Sequence, residues 1–156
     1  MDSSTEILQN VRHIIKYYEK VMKKVSLDHN LNLMEINILS FLHYNPQKDT
    51  AKDIVHFRML PKGNVSQGVE KLIQKELLKR KGDVHDRRKI HLLLTPKADS
   101  VIKDIVKVRI AFADQLFHEF SQEEKEIYRQ LNRRISSGIL KQIETQEREE
   151  KEDEAR

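Results

Sequence analysis

The chain has 156 residues and no cysteine, with 38% apolar residues, 35% charged residues and a formal net charge of +4. Without cysteine there is no disulfide framework, thiolate metal site or thiol redox sensor, and no apolar run approaches the roughly 20 residues that span a bilayer. The length fits one domain with helical extensions, and so much charge suits long exposed helices or a core shared between two chains.

The charge is unevenly placed. From Lys52 to Lys89 eleven Lys or Arg stand against five acids, a local net of +6, whereas the last ten residues, EREEKEDEAR, carry six acids and three bases. A basic middle with an acidic tail points to a polyanionic partner for the middle, and the tail reads as a frayed, solvated helix end. The N-terminal MDSSTEILQN lacks the basic-then-apolar layout of a signal peptide, so the expected location is cytoplasmic.

In chain order the first element is a long helix. Ile7, Val11, Ile14, Tyr18, Val21 and Val25 recur at spacings of four and three, a heptad seam that Ile15 and Met22 widen. Such a seam needs another helix to lie on, from the same chain or from a partner. LNLMEINILSFLHYNP gives a second helix, capped by Asn32 with Glu35 in capping-box position and followed by Pro46. Thr50 and Asp53 repeat that capping for a short third helix over about Ala51–Phe57. PKGNVSQGVEKLIQKELL starts a fourth near Pro61, whose fixed φ suits a first turn. Val65, Val69, Leu72 and Ile73 form its inner stripe, while Gly63, Asn64, Gln67, Lys71 and Gln74 point away.

Strand-type alternation follows. ELLKRK reads as a short strand, Gly82–Asp86 as a turn, and KIHLLLT as a returning strand with Ile90, Leu92 and Leu94 on one face and His91 turned outward to solvent. Pro96 opens a helix to about Phe120, with Ile102, Ile105, Phe112, Leu116 and Phe120 as its buried positions. Ser121 and Glu124 box a last helix whose stripe is Ile127, Leu131, Ile135, Ile139 and Ile143. The fold class is therefore mainly α, about six helices and a two-stranded β-hairpin. With three prolines, four glycines and no Pro/Gly/Ser-rich linker, separate flexible domains are not expected.

Two short helices followed by a two-stranded hairpin is the plan of a winged helix-turn-helix, whose second helix enters the major groove of DNA. Here that helix offers Lys62, Asn64, Ser66, Gln67 and Lys71, side chains that can read base edges and hold phosphates. Gly63 and Gly68 would let its backbone approach closely. The plainer alternative is an ordinary solvated helix with two glycines. The hairpin tip weighs against it. Arg87, Arg88 and Lys89, beside His85, repel one another unless an anion offsets them, and a narrow minor groove does so. Asp86 can brace one arginine by a bidentate pair. Here the plainer alternative is a charged solvent loop.

These residues resemble the MarR-type transcriptional regulators over nearly the whole chain, from the first helix to about Gln142. The most specific part is the wing, where DRRKIHLLLT is similar to the family's Asp-x-Arg and following Leu-Thr, placed here at Asp86, Arg88, Leu94 and Thr95. NVSQGVEKLIQKELLKR is similar to the family's recognition helix and the strand after it. Glu76 and Ala98 stand where the family usually has glycine, and the first departure removes the usual left-handed helix stop.

The resemblance implies a winged helix-turn-helix over residues 31–96. It places an N-terminal dimerisation helix at 1–30, C-terminal dimerisation helices at 97–146 and an acidic tail at 147–156. It further implies a homodimer on a palindromic double-stranded DNA operator, with repression as the family default. A small aromatic or anionic ligand would release the operator from a cleft between the dimer helices and the winged domain. Tyr17, Tyr18, Phe41 and Phe112 are candidates for that cleft, although aromatics at helical spacing are also ordinary core. The competing reading is a winged-helix dimer that serves as a protein-interaction module without DNA binding. The charges at Arg87 and Arg88 and the +6 segment stand against it.

Some relatives in that family sense zinc. Asp114 and His118 are spaced i, i+4, and His29 or His43 could join them, but two ligands make a thin set, and no metal or cofactor is expected. No nucleophile–base–orienter set, phosphate-cradling glycine loop or paired acids can be traced, so an enzyme is not expected.

Overall fold

The computed structural model describes residues 2–154. Its elements are α1 (Ser3–His29), α2 (Leu33–Tyr44), α3 (Ala51–Arg58), α4 (Lys62–Gln74), β1 (Leu78–Gly82), β2 (Ile90–Leu94), a 3₁₀ turn (Pro96–Ala98), α5 (Asp99–Leu116) and α6 (Gln122–Glu154). The chain divides into two compact units, Met1–Ala113 and Asp114–Arg156.

In the first unit the helix ends are set by local chemistry. Asn32 and Glu35 exchange both bonds of a capping box, as do Thr50 and Asp53. Pro61 stands one position earlier than expected, at the N-cap of α4 with φ −58°, and no side chain caps that helix. At the far end of α4 the left-handed stop survives without glycine. Glu76 takes φ 61°, its N–H bonds to the carbonyl of Ile73, and that of Leu77 bonds to the carbonyl of Leu72.

Helix α2 is the centre of this unit, buried from Glu35 to Leu42 except at Asn37. The buried Glu35 carboxylate is fully partnered: it caps α2 at the Asn32 N–H and meets Lys75 Nζ at 3.0 Å. Around α2 pack Met22 and Val25 of α1, Ile54 of α3, Val65, Val69 and Leu72 of α4, and Val101 and Ile105 of α5. Gly68 belongs to this packing and does not open the backbone to DNA. A Cβ on it would lie 2.6 Å from Ile38 Cδ1 and 3.3 Å from Met34 Cγ, so its missing side chain lets α4 approach α2. Only the C-terminal half of the α1 seam is covered. Ile7, Val11, Ile14 and Ile15 remain exposed.

The hairpin pairs β1 and β2 antiparallel, with Leu78 opposite Leu94, Arg80 opposite Leu92 and Gly82 opposite Ile90. Leu78 and Leu92 reach the core, but Ile90, at the far end of the hairpin, is 40% exposed. Leu92 N–H also bonds to the carbonyl of Asp49 at 2.7 Å, so the α2–α3 connection lies against the outer edge of β2. His91 does not simply face solvent. Its ring is held between Asp49 and Asp83.

Helix α5 buries Val101, Ile102 and Ile105, leaves Phe112 half-buried, and ends at Leu116. In the second unit Leu116 is half-buried and Phe120 is exposed, short of the burial expected of them. Phe117 packs against Phe120 and Tyr128, with ring centroids 5.6 and 4.9 Å apart. Ser121 and Glu124 form the expected box, and α6 continues through the acidic segment to Glu154. No described residue of α6 is buried; Ile127, Leu131, Ile135 and Ile139 form an exposed stripe.

Candidate nucleic-acid interface and effector cavity

Helix α4 exposes Lys62, Asn64, Ser66, Gln67 and Lys71 while Val65, Gly68, Val69 and Leu72 face inward. Its first turn carries no acid and no side-chain cap, so its free N–H groups and positive dipole end are available to an anion. Lys71 is separate from the other four. It sits two turns on and borders a small cavity with Glu35, Lys75 and Asn30.

Two carboxylates shape the wing tip, Asp83 at its start and Asp86 within it. Asp83 Oδ1 accepts the backbone N–H groups of His85 and Asp86, each at 2.7 Å, while Lys89 N–H bonds to the Asp86 carbonyl at 2.9 Å. This turn presents Arg87, Arg88 and Lys89 to solvent. Asp86 Oδ1 accepts the Arg88 backbone N–H at 3.0 Å and has only one contact with its guanidinium, Nε at 3.5 Å. The bidentate brace expected from sequence is absent, and the Arg88 side chain is 94% exposed. Elsewhere in the basic segment Lys75 pairs with Glu35 and Arg80 with Glu70. Lys62, Lys71, Arg87 and Lys89 make no ion pair among the described residues.

His91 anchors the base of the tip. Its Nδ1 is 2.7 Å from Asp49 Oδ1 and its Nε2 is 2.9 Å from Asp83 Oδ2. The bond from His91, reinforced by the two N–H groups of the turn, holds the Asp83 carboxyl well below the usual carboxylate range. Reciprocally, Asp83 and then Asp49 push the imidazole above its ordinary value. Beside the wing an open groove of about 940 Å³ runs to the start of α3, lined by Gln47, Lys52 and His56 together with Arg88 and Lys89. Sequence reasoning does not single out Lys52 or His56 as site residues.

A second cavity, of about 470 Å³, lies within the first unit. Of the four aromatic candidates only Tyr18 and Phe112 line it. Phe41 is core, stacked on Phe57, and Tyr17 packs on Phe112 with centroids 5.6 Å apart while remaining 41% exposed. The polar groups in this cavity are Asn37, Arg58, Arg109 and Glu19. Arg58 donates to Asn37 Oδ1 and Arg109 to Ser40 Oγ, each at 2.8 Å, and Arg109 lies 4.1 Å over the Tyr44 ring. Neither guanidinium has a carboxylate partner among the described residues. Burial above all, with the like charge of Arg109, lowers the proton affinity of Arg58, although Tyr18 partly offsets this. Burial raises the Tyr18 hydroxyl. Arg109 is legible in the sequence: it follows Ile105 by four and precedes Phe112 by three, an arginine on the apolar seam.

Asp114 and His118 are not brought together as the i, i+4 spacing suggests. Helix α5 stops at Leu116, so the two do not share a helical face, and His118 Nδ1 turns to the Gln115 carbonyl at 3.2 Å. Among the described residues no group of three His, Cys, Asp or Glu is placed to hold a metal.

The sequence model of the MarR family matches residues 29–89, which contain the capped helices, α4 and the wing tip. The HTH-type transcriptional regulator MhqR of Bacillus subtilis (strain 168) is 32% identical over 114 residues, covering 73% of this chain and 78% of MhqR. The chain belongs to the MarR family. It is a winged-helix, DNA-binding transcriptional regulator. Solved structures of MarR-type regulators share its fold. The MarR protein from Peptoclostridium difficile has a TM-score of 0.77 at 20% identity over 91% of both chains. Bordetella bronchiseptica BpsR, whose DNA binding is regulated by 6-hydroxynicotinic acid, has a TM-score of 0.66 at 20% identity, covering 84% of this chain and 98% of BpsR. No helix among the described residues is long and apolar enough to cross a membrane.

Proposed function

We propose that this MarR-family chain acts as a cytoplasmic homodimer on an inverted-repeat operator and represses transcription until a small aromatic anion binds. The observation that carries the reading is the wing tip, where Arg87, Arg88 and Lys89 project from a turn fixed by Asp83, on the same winged domain as the acid-free N-terminus of α4. Asn64, Ser66 and Gln67 suit base edges in the major groove, Lys62 suits phosphate, and Arg88 suits the narrow minor groove. The exposed apolar residues of α1 and α6 support dimerisation, because apolar stripes of this length stay exposed at a cost unless a second chain covers them. Residues 1–30 and 97–146 would then be the dimerisation segments around the DNA-binding domain at 31–96.

The effector reading rests on the cavity. Arg58 and Arg109 converge there beside Glu19 but neither forms an ion pair among the described residues, so an anionic ring stacked near Tyr18 and Phe112 would relieve their repulsion. The regulation of BpsR by an aromatic acid supports that class of ligand. Selection of bound duplexes from a random pool tests the proposal. The expected product is an inverted repeat with half-sites about 10 bp apart, one helical turn. Recovery of a single asymmetric site, or of no enriched sequence, would contradict it.

A further inference from the structure

Strand alternation alone would leave His91 open to solvent, yet both nitrogens of its ring meet carboxylate oxygens, Asp49 at 2.7 Å and Asp83 at 2.9 Å. An ionised carboxylate only accepts, so both ring nitrogens must donate, which only the imidazolium can do. The neutral ring has one N–H and would turn a lone pair toward one of the two acids. Lys81, across the strands from His91, and Lys89, on its own side, are the cations nearby. They oppose the imidazolium but do not outweigh two hydrogen-bonded carboxylates.

Asp83 gives this contact its consequence. One of its oxygens bonds His91, while the other fixes the turn that carries Arg87, Arg88 and Lys89. Asp49 belongs to the α2–α3 connection, which is tied to β2 through the Leu92 N–H. The imidazolium thus joins the wing tip to the body of the winged domain.

We propose that His91 is a positioning residue for DNA binding: its imidazolium clasps Asp49 and Asp83, sets the wing tip, and releases it when the proton leaves. The proposal rests on the DNA role of the wing given above. Because the folded imidazole is raised, the clasp is complete below the ordinary histidine value and disappears as pH rises through the raised one.

The test measures affinity for the selected duplex at fixed ionic strength from about pH 6 to about pH 9, beside an NMR titration of the His91 ring. Wild-type affinity is expected to fall on the order of fivefold or more, with a midpoint that follows the His91 signal. His91→Gln, checked for folding by circular dichroism, should bind more weakly at the acid end and lack that transition. Asp49→Asn should move the transition to lower pH by removing one of the two anions. His85→Gln should keep it, which separates the clasp from the other histidine of the tip. A wild-type affinity flat across the His91 titration, or a His91→Gln profile that matches wild type, would overturn the clasp while leaving the DNA reading intact. Absence of duplex binding at every pH would overturn both.

Discussion

Glu76 shows local preference yielding to the fold. A residue with a Cβ in the left-handed region is strained by roughly 1–2 kcal/mol, yet Glu76 holds φ 61° because Leu72, Leu77 and Leu78 are buried on either side of the stop. Its compensation is outside the core: its carboxylate meets Lys97 Nζ at 2.8 Å and its carbonyl accepts the Thr95 hydroxyl. The ion pair is largely exposed and contributes little, whereas the backbone bond does not depend on the side chain. Glu76→Gly is therefore expected to raise the thermal unfolding midpoint by about a few degrees and to leave DNA affinity unchanged. A lowered midpoint in calorimetry would show that the side chain contributes more than the strain it imposes.

Among the elements, those governed by neighbours in sequence are legible. The capping boxes at Asn32–Glu35 and Thr50–Asp53 are read from residues three apart, and both are present. The hairpin follows from alternation and from the charged turn between its strands. Contacts between elements are not legible. Gly68 reads as a close approach to DNA because its spacing on α4 carries no information about α2, and its true neighbour is Ile38, thirty residues earlier. Gly68→Val should force α4 away from α2 and destabilise the fold by about 1–3 kcal/mol, measured by urea unfolding. An unchanged midpoint would mean that Ile38 and Met34 rearrange freely. The Asp49–His91–Asp83 clasp escapes a sequence reading for the same reason, since it joins a loop, a strand and a turn. Arg58 escapes it likewise, since its cavity is shared between helices, whereas Arg109 carries a local signal as a cation on the apolar seam of α5.

In the molecule as a whole the apolar residues fall into two populations. One fills the core around α2; the other, Ile7 to Ile15 on α1 and Ile127 to Ile139 on α6, remains exposed in a single chain. The period of both stripes is plain from the sequence, but period alone does not say whether the covering surface comes from the same chain. Sedimentation should give twice the chain mass of 18.5 kDa. Leu131→Glu combined with Ile135→Glu should reduce that species or cause aggregation, because each charge would be placed on the stripe. A wild-type protein sedimenting at 18.5 kDa would remove the dimer.

DNA binding through the wing is tested most directly by the affinity of wild type, Arg88→Ala and Lys89→Ala for the selected duplex across a salt series. Arg88→Ala removes a side chain that is 94% exposed, so folding should survive while binding weakens by about 1–3 kcal/mol for each wing. Lys89→Ala should weaken binding less and lower the slope of log affinity against log salt by about 1 for each phosphate that no longer meets a lysine. If both folded variants match wild type in affinity and slope, the wing does not touch DNA, and the winged domain is an interaction module.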